Sequence, residues 1–338
     1  MECKGCFIGE LKVEILVEGE ENLQILPDVE RHLNRRDIVV KMKGDNELII
    51  NESGVREFLD FGKDHMKLEK LSFRIGKQEW ISLTELDEIL NTQWIDEVIL
   101  TGIITCHYQP IVNAQGEIYA YEILSRFMRE DGSLIYPNEV FTAARSRGRL
   151  YALDRLCRMT AVRYAAKINK KAFINFIPTS IYSPEFCLQS TVQLAGQLGV
   201  DPSQFVFEVV ETEKVDDVSH LKRILAYYKE KGFHYALDDV GEGFSTIELL
   251  SDLRPQYMKL DMKYVQGVAA DMQKQQVAHL FLEKAITIGS IPLAEGVERE
   301  EDFEWLKQQG YQLFQGYLFG RPSPDPLPES STCLVQAR

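Results

Sequence analysis

From about residue 100 onward, short apolar runs alternate with segments of helical periodicity. In order, the apolar runs are "ITCHYQPIV", "EIYAYEILSRF", "KAFINFIP", "QFVFEVVETE", "FHYALDDV", "QYMKLDMKYV", "IPLAEGVE" and "YQLFQGYLF". Between them, Leu221, Ile224, Leu225 and Tyr228 fall on one face of a helix. A further segment, "EREEDFEWLKQQG", has acidic residues in its first turn and Gly310 at its end. Eight strands that alternate with helices predict a (β/α)8 barrel.

The first two apolar runs are joined by only "NAQG", which is too short for a crossover helix. The connection must therefore be a hairpin, and one barrel strand must run antiparallel to its neighbours. The predicted fold class is α/β, a TIM-like (β/α)8 barrel variant with one antiparallel strand.

Residues 1–95 have a different pattern, which predicts a small α+β domain in front of the barrel. "LKVEILVEG" and "LSFRIGKQEW" alternate as strands do, and "DIVVKMKGDNELIIN" predicts a hairpin around residues 44–46. We find no ligand-binding motif in this part of the sequence. We therefore expect a regulatory or packing module over residues 1–95 and the barrel domain over residues 96–330.

The composition is that of an acidic, soluble chain. The formal net charge of −14 argues against DNA or RNA binding, because phosphate contacts need a basic surface. No apolar stretch approaches the ~20 residues of a membrane span, and the N-terminus lacks a secretory pattern; a cytoplasmic protein is expected. The six cysteines are scattered. Cys3 and Cys6 form an isolated pair, for which free thiols are favoured over a metal or redox site.

Each apolar run from the second onward carries a polar residue at or near its C-terminal end. These residues are Glu122, Asn175, Glu208, Asp238 with Asp239, Lys259, Glu295 and Gln315. Taken singly, each would most simply be a loop residue, a helix cap or a solvated side chain. In a barrel, however, the C-terminal strand ends surround one point, where such folds keep their active sites.

Five carboxylates in one pocket would have to take up protons unless cations neutralise them. Oxygen ligands of this kind suit Mg²⁺, Mn²⁺ or Ca²⁺, and their number suits two ions bridged by a shared carboxylate. Adjacent aspartates at 238 and 239 could bridge two ions and bind the second. Paired metals cleave phosphoesters by activating water, and Lys259 could orient that water or offset developing charge.

The chain from about residue 104 to 322 resembles the EAL-domain family of cyclic di-GMP phosphodiesterases. The motifs, in order, are "YQPIV", "YEILSRF", "FINFIP", "FEVVETE", "DDVGEGFST", "KLDMKYV", "AEGVE" and "QGYLFGRP". The resemblance implies hydrolysis of cyclic di-GMP to linear pGpG with two Mg²⁺ or Mn²⁺ ions. It also implies a homodimer.

The resemblance further implies a role for each matching position. The metal ligands would be Glu122, Asn175, Glu208, Asp238, Asp239 and Glu295, with Asp238 bridging the ions. Lys259 and Glu295 would position or deprotonate the attacking water, and Glu211 would brace the loop after Asp239. The substrate side would be formed by Gln109, Arg126, Asp261 and Gln315, and Glu298 would support the ligands from behind.

Three positions depart from the family pattern: Val210, Val240 and Glu242 replace Thr, Phe and Thr. None removes a ligand, so an active enzyme is favoured. A catalytically inactive receptor, which binds cyclic di-GMP and signals to a protein partner, is the alternative. A glycosidase with paired carboxylates is a weaker alternative that Lys259 and Asn175 fit poorly.

Overall fold

A computed structural model describes residues 9–76, 78–129, 132–210, 217–238 and 247–328. The chain divides into two compact units. The first comprises residues up to Ile103 together with Arg129–Leu153, and the second comprises Ile104–Met128 and the chain from Asp154 onward. The domain boundary after residue 95 stays a prediction. The sequence pattern did not indicate that Arg129–Leu153 packs with the first unit.

The first unit is built on a five-stranded antiparallel sheet, in the order β2-β3-β1-β4-β5 among the described residues. Its strands are β1 Lys12–Val17, β2 Val40–Lys43, β3 Glu47–Asn51, β4 Leu71–Ile75 and β5 Ile81–Ser82. Its helices are α1 Glu20–Arg35, α2 Glu52–His65, α3 Leu86–Leu90 and α4 Trp94–Thr101, and the later stretch adds β8 Leu134–Ile135 and α5 Pro137–Ser146. The order β1-α1-β2-β3-α2-β4 is the split β-α-β arrangement.

Alternation along the strands explains how this sheet buries one face. In β1, Val13, Ile15 and Val17 are fully buried, and Phe73 of β4 is buried on the same side. Helices α1 and α2 contribute their apolar stripes to this core. The hairpin predicted around residues 44–46 is confirmed, since β2 pairs with β3 and Gly44 adopts a φ of 78° in the turn.

The second unit is the predicted barrel, in which eight strands close in the order β6-β14-β13-β12-β11-β10-β9-β7 and back to β6. They are β6 Ile104–Asn113, β7 Ile118–Met128, β9 Lys171–Phe176, β10 Phe205–Val209, β11 His234–Leu237, β12 Tyr257–Leu260, β13 Ile291–Ala294 and β14 Leu313–Gln315. All neighbours are parallel except at β6, which runs antiparallel to both β7 and β14. The predicted barrel variant with one antiparallel strand is confirmed.

Helices follow the barrel strands. They are α6 Leu150–Ala165, α7 Pro184–Cys187, α8 Gln189–Gln197, α9 Val218–Glu230, α10 Ile247–Leu253, α11 Met262–Val265, α12 Met272–Ile288 and α13 Glu300–Gln309. The helix predicted from Leu221 and Tyr228 is α9, which buries both residues. Gly310 ends α13 as expected, with a φ of 111° that favours glycine.

Two further sequence expectations concern membrane spans and cysteines. No helix among the described residues combines the length and the apolar composition that crossing a bilayer requires. Cys106, Cys157 and Cys187 are buried free thiols, whereas Cys3, Cys6 and Cys333 lie outside the described residues.

Candidate functional site

Seven polar side chains from consecutive barrel strands meet at the carboxyl end of the barrel. They are Glu122, Asn175, Glu208, Asp238, Lys259, Glu295 and Gln315. Parallel register aligns neighbouring members; Asn175 of β9, for example, is the partner of Glu208 of β10. Asp238 and Glu295 directly follow β11 and β13. The convergence is therefore a property of the barrel topology.

Glu122 reaches this level in a different way from the sequence expectation. It is in the middle of β7 and not near the end, because β7 continues to Met128 while paired with β6. Only Ala120–Glu122 of β7 pairs with β9. Glu122 is therefore the last residue of β7 that pairs with β9. This position places it level with the carboxyl ends of the other parallel strands.

Lys259 is the cation around which the carboxylates gather. Its side chain is 1% exposed, and its Nζ lies 3.0 Å from Glu295 Oε2, 3.2 Å from Glu208 Oε1, 3.3 Å from Asp238 Oδ1 and 3.7 Å from Glu122 Oε2. Burial lowers the pKa of Lys259, but the four carboxylates outweigh burial and raise it well above its ordinary value. The ammonium therefore stays charged at neutral pH.

Glu122 accepts a hydrogen bond on each of its two carboxylate oxygens. Asn175 Nδ2 donates to its Oε1 at 2.7 Å, and Gln315 Nε2 donates to its Oε2 at 2.6 Å. Burial raises the pKa of Glu122, but Lys259 and these two donors reverse the shift and lower it below the ordinary value. Glu122 is therefore an anion in the folded protein.

Glu208 and Glu295 are much less well satisfied. Glu208 is fully buried, and neither of its oxygens accepts a hydrogen bond in the described part of the chain, although Lys259 lies within ion-pair distance. Burial raises the pKa of Glu208 well above its ordinary value, and repulsion from the other carboxylates adds to the shift against the pull of Lys259. Burial likewise raises the pKa of Glu295 to about 7. One lysine does not compensate four acids, of which Glu122 and Glu208 are buried.

The unsatisfied oxygens fit divalent cations of the Mg²⁺ and Mn²⁺ type. Both oxygens of Glu208, Glu295 Oε2 and Gln315 Oε1 are buried and accept no hydrogen bond from a described residue, although Lys259 lies within ion-pair distance of the two glutamates. Hard oxygen ligands of this kind are what these ions take. No three acidic, histidine or cysteine side chains in the described ranges already have the spacing of a metal cage. Lys259 lies among the acids instead, and Asp239 falls outside the described residues.

Several other predicted positions also lie outside the described residues. They are Glu211 and the departures Val240 and Glu242. The departure Val210 is described and follows β10, where its N–H donates to Phe176 O at 3.3 Å. The roles given to Glu211 and Asp239 stay predictions.

Gln109 of β6 and Arg126 of β7 lie on the face of the β6–β7 hairpin that carries Glu122. Gln109 is the register partner of Glu122, and Arg126 lies four residues after Glu122, so alternation puts all three on one face. Arg126 Nη1 donates to Ser125 O at 2.9 Å, and among the described residues Arg126 forms no salt bridge. A half-buried guanidinium of this kind can bind a phosphate.

No hydrogen bond between described residues joins Asp261 or Glu298 to the four carboxylates around Lys259. Asp261 caps α11, where Lys263 N donates to its Oδ1 at 2.6 Å. Glu298 is exposed in the loop between β13 and α13. Their roles in substrate binding and in support of the ligands stay predictions.

One buried acid near the site was not predicted from the sequence. Asp154 of α6 is 3% exposed and accepts a hydrogen bond from Ile177 N, two residues beyond Asn175, at 2.9 Å. The available signal was an aspartate and an arginine four residues apart, Asp154 and Arg158, on the apolar side of a helix. Such a pair predicts a solvated helix face far more often than a buried contact.

The sequence model of the EAL domain matches residues 93–322. The chain is 30% identical over 249 residues to a protein named probable cyclic di-GMP phosphodiesterase PdeG from Escherichia coli K12, which covers 70% of this chain and 49% of that protein. It is 29% identical over 235 residues to probable cyclic di-GMP phosphodiesterase PdeB of the same bacterium. This second alignment covers 68% of this chain and 45% of PdeB. The chain thus spans less than half the length of these two relatives.

A solved structure gives the same fold. It is a standalone EAL protein from Vibrio cholerae O395 in its c-di-GMP-bound form, with a TM-score of 0.60 and 36% sequence identity. The similarity covers 69% of this chain and 98% of that one.

Proposed function

Since this chain belongs to the EAL domain family, we propose that it hydrolyses cyclic di-GMP to linear pGpG with the help of two Mg²⁺ or Mn²⁺ ions. The observation that carries the proposal is the crowding of four carboxylates within 3.7 Å of one buried ammonium. Buried acids of this density are costly unless cations join them. The names of the relatives and the nucleotide bound in the Vibrio cholerae structure support cyclic di-GMP as the proposed substrate.

The proposed ligand set is the one that the resemblance to the family implies. Glu122, Asn175, Glu208 and Asp238 would hold one ion, and Asp238, Asp239 and Glu295 would hold the other. When bound, the ions would lower the pKa of a water molecule and stabilise the leaving oxygen of the phosphodiester. Gln315 and Asn175 keep the carboxylate of Glu122 oriented through their hydrogen bonds.

The protein's own groups would handle the proton and the developing charge. Burial makes the Glu295 carboxylate more basic than usual, with a pKa of about 7 before any ion binds, so that it could accept the proton of the attacking water. Lys259 lies 3.0 Å from Glu295 and fixes its orientation, and its charge can stabilise the phosphoryl oxygens. Arg126 and Gln109 would bind the phosphate side of the substrate. The homodimer stays a prediction.

Glu122→Gln tests the proposal. Wild-type protein with cyclic di-GMP and Mn²⁺ should form pGpG, measured by liquid chromatography, and EDTA should stop the reaction. The variant should lose at least about 100-fold in kcat, because it removes the ligand charge and forces an amide against the donors Asn175 and Gln315. The matched control is Glu283→Gln, at an exposed position of α12, which should behave as wild type. Nucleotide binding without any turnover of wild type would overturn the proposal in favour of the receptor.

The affinity for Mn²⁺ should rise with pH between pH 6 and pH 8. Below pH 7, Glu295 holds a proton that must leave before its carboxylate can bind a cation, because its pKa is raised to about 7. The raised pKa of Glu208 acts in the same direction. We expect an increase of roughly tenfold per pH unit below pH 7 for each proton released. Calorimetric titration in two buffers of different ionisation enthalpy measures both the affinity and the proton count. Equal affinity for Mn²⁺ at pH 6 and at pH 8, with no proton released, would contradict the expectation.

A further inference from the structure

Helix α6 carries a buried ion pair whose acid binds the end of a barrel strand. Asp154 and Arg158 are 3% and 0% exposed, and Asp154 Oδ2 lies 3.2 Å from Arg158 Nη2. The other oxygen of Asp154 accepts from Ile177 N at 2.9 Å, just beyond β9. Arg158 Nη1 donates in turn to Thr191 Oγ1 on α8 at 2.8 Å, and Thr191 is fully buried. Three elements are thereby joined through one carboxylate and one guanidinium.

The hydrogen bond between Asp154 and Ile177 lies directly after the end of β9. Phe176 is the last strand residue, and the chain turns at once into a short 3-10 helix over Pro178–Ser180. Pro178 has no N–H, so Ile177 supplies the last backbone donor before the turn. The Ile177 carbonyl accepts from Ser180 N at 3.1 Å and from Ser180 Oγ at 2.7 Å. Asp154 therefore binds the N–H of Ile177, whose carbonyl already accepts two hydrogen bonds from Ser180.

This position matters because of Asn175, which lies two residues before Ile177. The amide of Asn175 donates to Glu122 Oε1 at 2.7 Å, a bond that tolerates little displacement of the strand end. An apolar residue at position 154 could fill the space but could not bind a backbone N–H. Replacing a buried ion pair by apolar residues is often neutral for stability, so stability alone gives no reason for this pair.

We propose that Asp154 is a positioning residue, which holds the end of β9 so that Asn175 keeps its hydrogen bond to Glu122. The inference deepens the proposed function, because it names how one member of the ligand set is oriented. Asp154 would act through its hydrogen bond to the backbone of Ile177 and would not contact the substrate.

The test compares Asp154→Ala, Asp154→Asn and Thr191→Val in the full chain. Asn keeps an oxygen for Ile177 N and Ala does not, whereas Val breaks the Arg158 contact at its far end and leaves Ile177 untouched. Two readouts are used: the side-chain amide signal of Asn175 in the NMR spectrum of metal-free protein, and the kinetics of cyclic di-GMP turnover with Mn²⁺.

The expected results separate positioning from simple stability. Asp154→Ala should shift or broaden the Asn175 amide signal and lower kcat at least about tenfold with KM changed less than about twofold. Asp154→Asn and Thr191→Val should keep the signal and stay within about threefold of the wild-type kcat. An unchanged Asn175 signal in Asp154→Ala, or a loss in Asp154→Asn, would overturn the inference. If Asp154→Ala does not fold, Asp154→Leu takes its place, because it fills the space without an acceptor oxygen and should shift the Asn175 signal in the same way. The NMR readout remains decisive even if wild type shows no turnover, which would defeat only the proposed function.

Discussion

Lys259→Met should abolish turnover of cyclic di-GMP and strongly destabilise the metal-free protein. The substitution removes the only cation within ion-pair distance of Glu208 and Glu295 among the described residues and leaves four acids to face one another. Removing one partner of a buried pair costs about 3–5 kcal/mol of unfolding free energy. Loss of a charge that the proposed function assigns to the reacting phosphate should lower kcat by at least about 100-fold.

Mn²⁺ gives this prediction a second, opposite readout. Because the added ions neutralise the carboxylates and bind only the folded chain, Mn²⁺ should restore much of the stability of Lys259→Met but none of its turnover. Urea denaturation with EDTA or with Mn²⁺ measures the first effect, and pGpG formation measures the second. Lys229→Met, at an exposed position of α9, is the control. Turnover near the wild-type rate in Lys259→Met would remove the lysine from the mechanism.

The barrel was predictable because its signals are local and repeated. Each strand is an apolar run, each helix has an apolar stripe, and the four-residue link "NAQG" requires the hairpin between β6 and β7. The convergence of Asn175, Glu208 and Lys259 follows from strand order alone. Position along a strand was less predictable. Glu122 is in the middle of β7 because a hairpin strand can outrun its parallel neighbour, and no residue pattern marks where that pairing ends.

The electrostatics of the site could not be predicted from the sequence. Glu122 and Glu208 are both buried acids at the same level of the barrel, yet the pKa of Glu122 is lowered and that of Glu208 is raised. Burial is the largest influence on both. Asn175 and Gln315 donate to Glu122 and help to lower its pKa, whereas Glu208 accepts no hydrogen bond from a described residue and repulsion from the other carboxylates raises its pKa further. Such differences depend on distances of a few tenths of an ångström.

The return of Arg129–Leu153 to the first unit was also unpredictable, and it rests on a buried arginine. Arg147 is 0% exposed, and its Nη1 and Nη2 each lie 2.8 Å from an oxygen of Glu52. Nη2 also donates to Asp96 Oδ2 at 2.7 Å, and Arg149 Nε donates to Asp96 Oδ1 at 2.7 Å. The partners are 95 and 51 residues away from Arg147, so no periodic pattern connects them.

Glu52→Leu should therefore destabilise the first unit by about 3–5 kcal/mol, because it leaves the charge of Arg147 buried with one acid in place of two. Arg147→Met should cost less, since Glu52 and Asp96 are 11% and 16% exposed and can regain some hydration. The double variant should be more stable than the sum of the two losses predicts, by about 1–3 kcal/mol, because it removes both charges together.

A double-mutant cycle in a Trp305→Phe background can measure this coupling selectively. The background leaves Trp80 and Trp94, both in the first unit, as the fluorescent reporters of urea denaturation. Glu69→Leu, at an exposed position, should change little and serves as the control for the loss of a glutamate. Strict additivity of Glu52→Leu and Arg147→Met would mean that the pair contributes no coupling, and the return of Arg129–Leu153 would then rest on the apolar contacts of α5 instead.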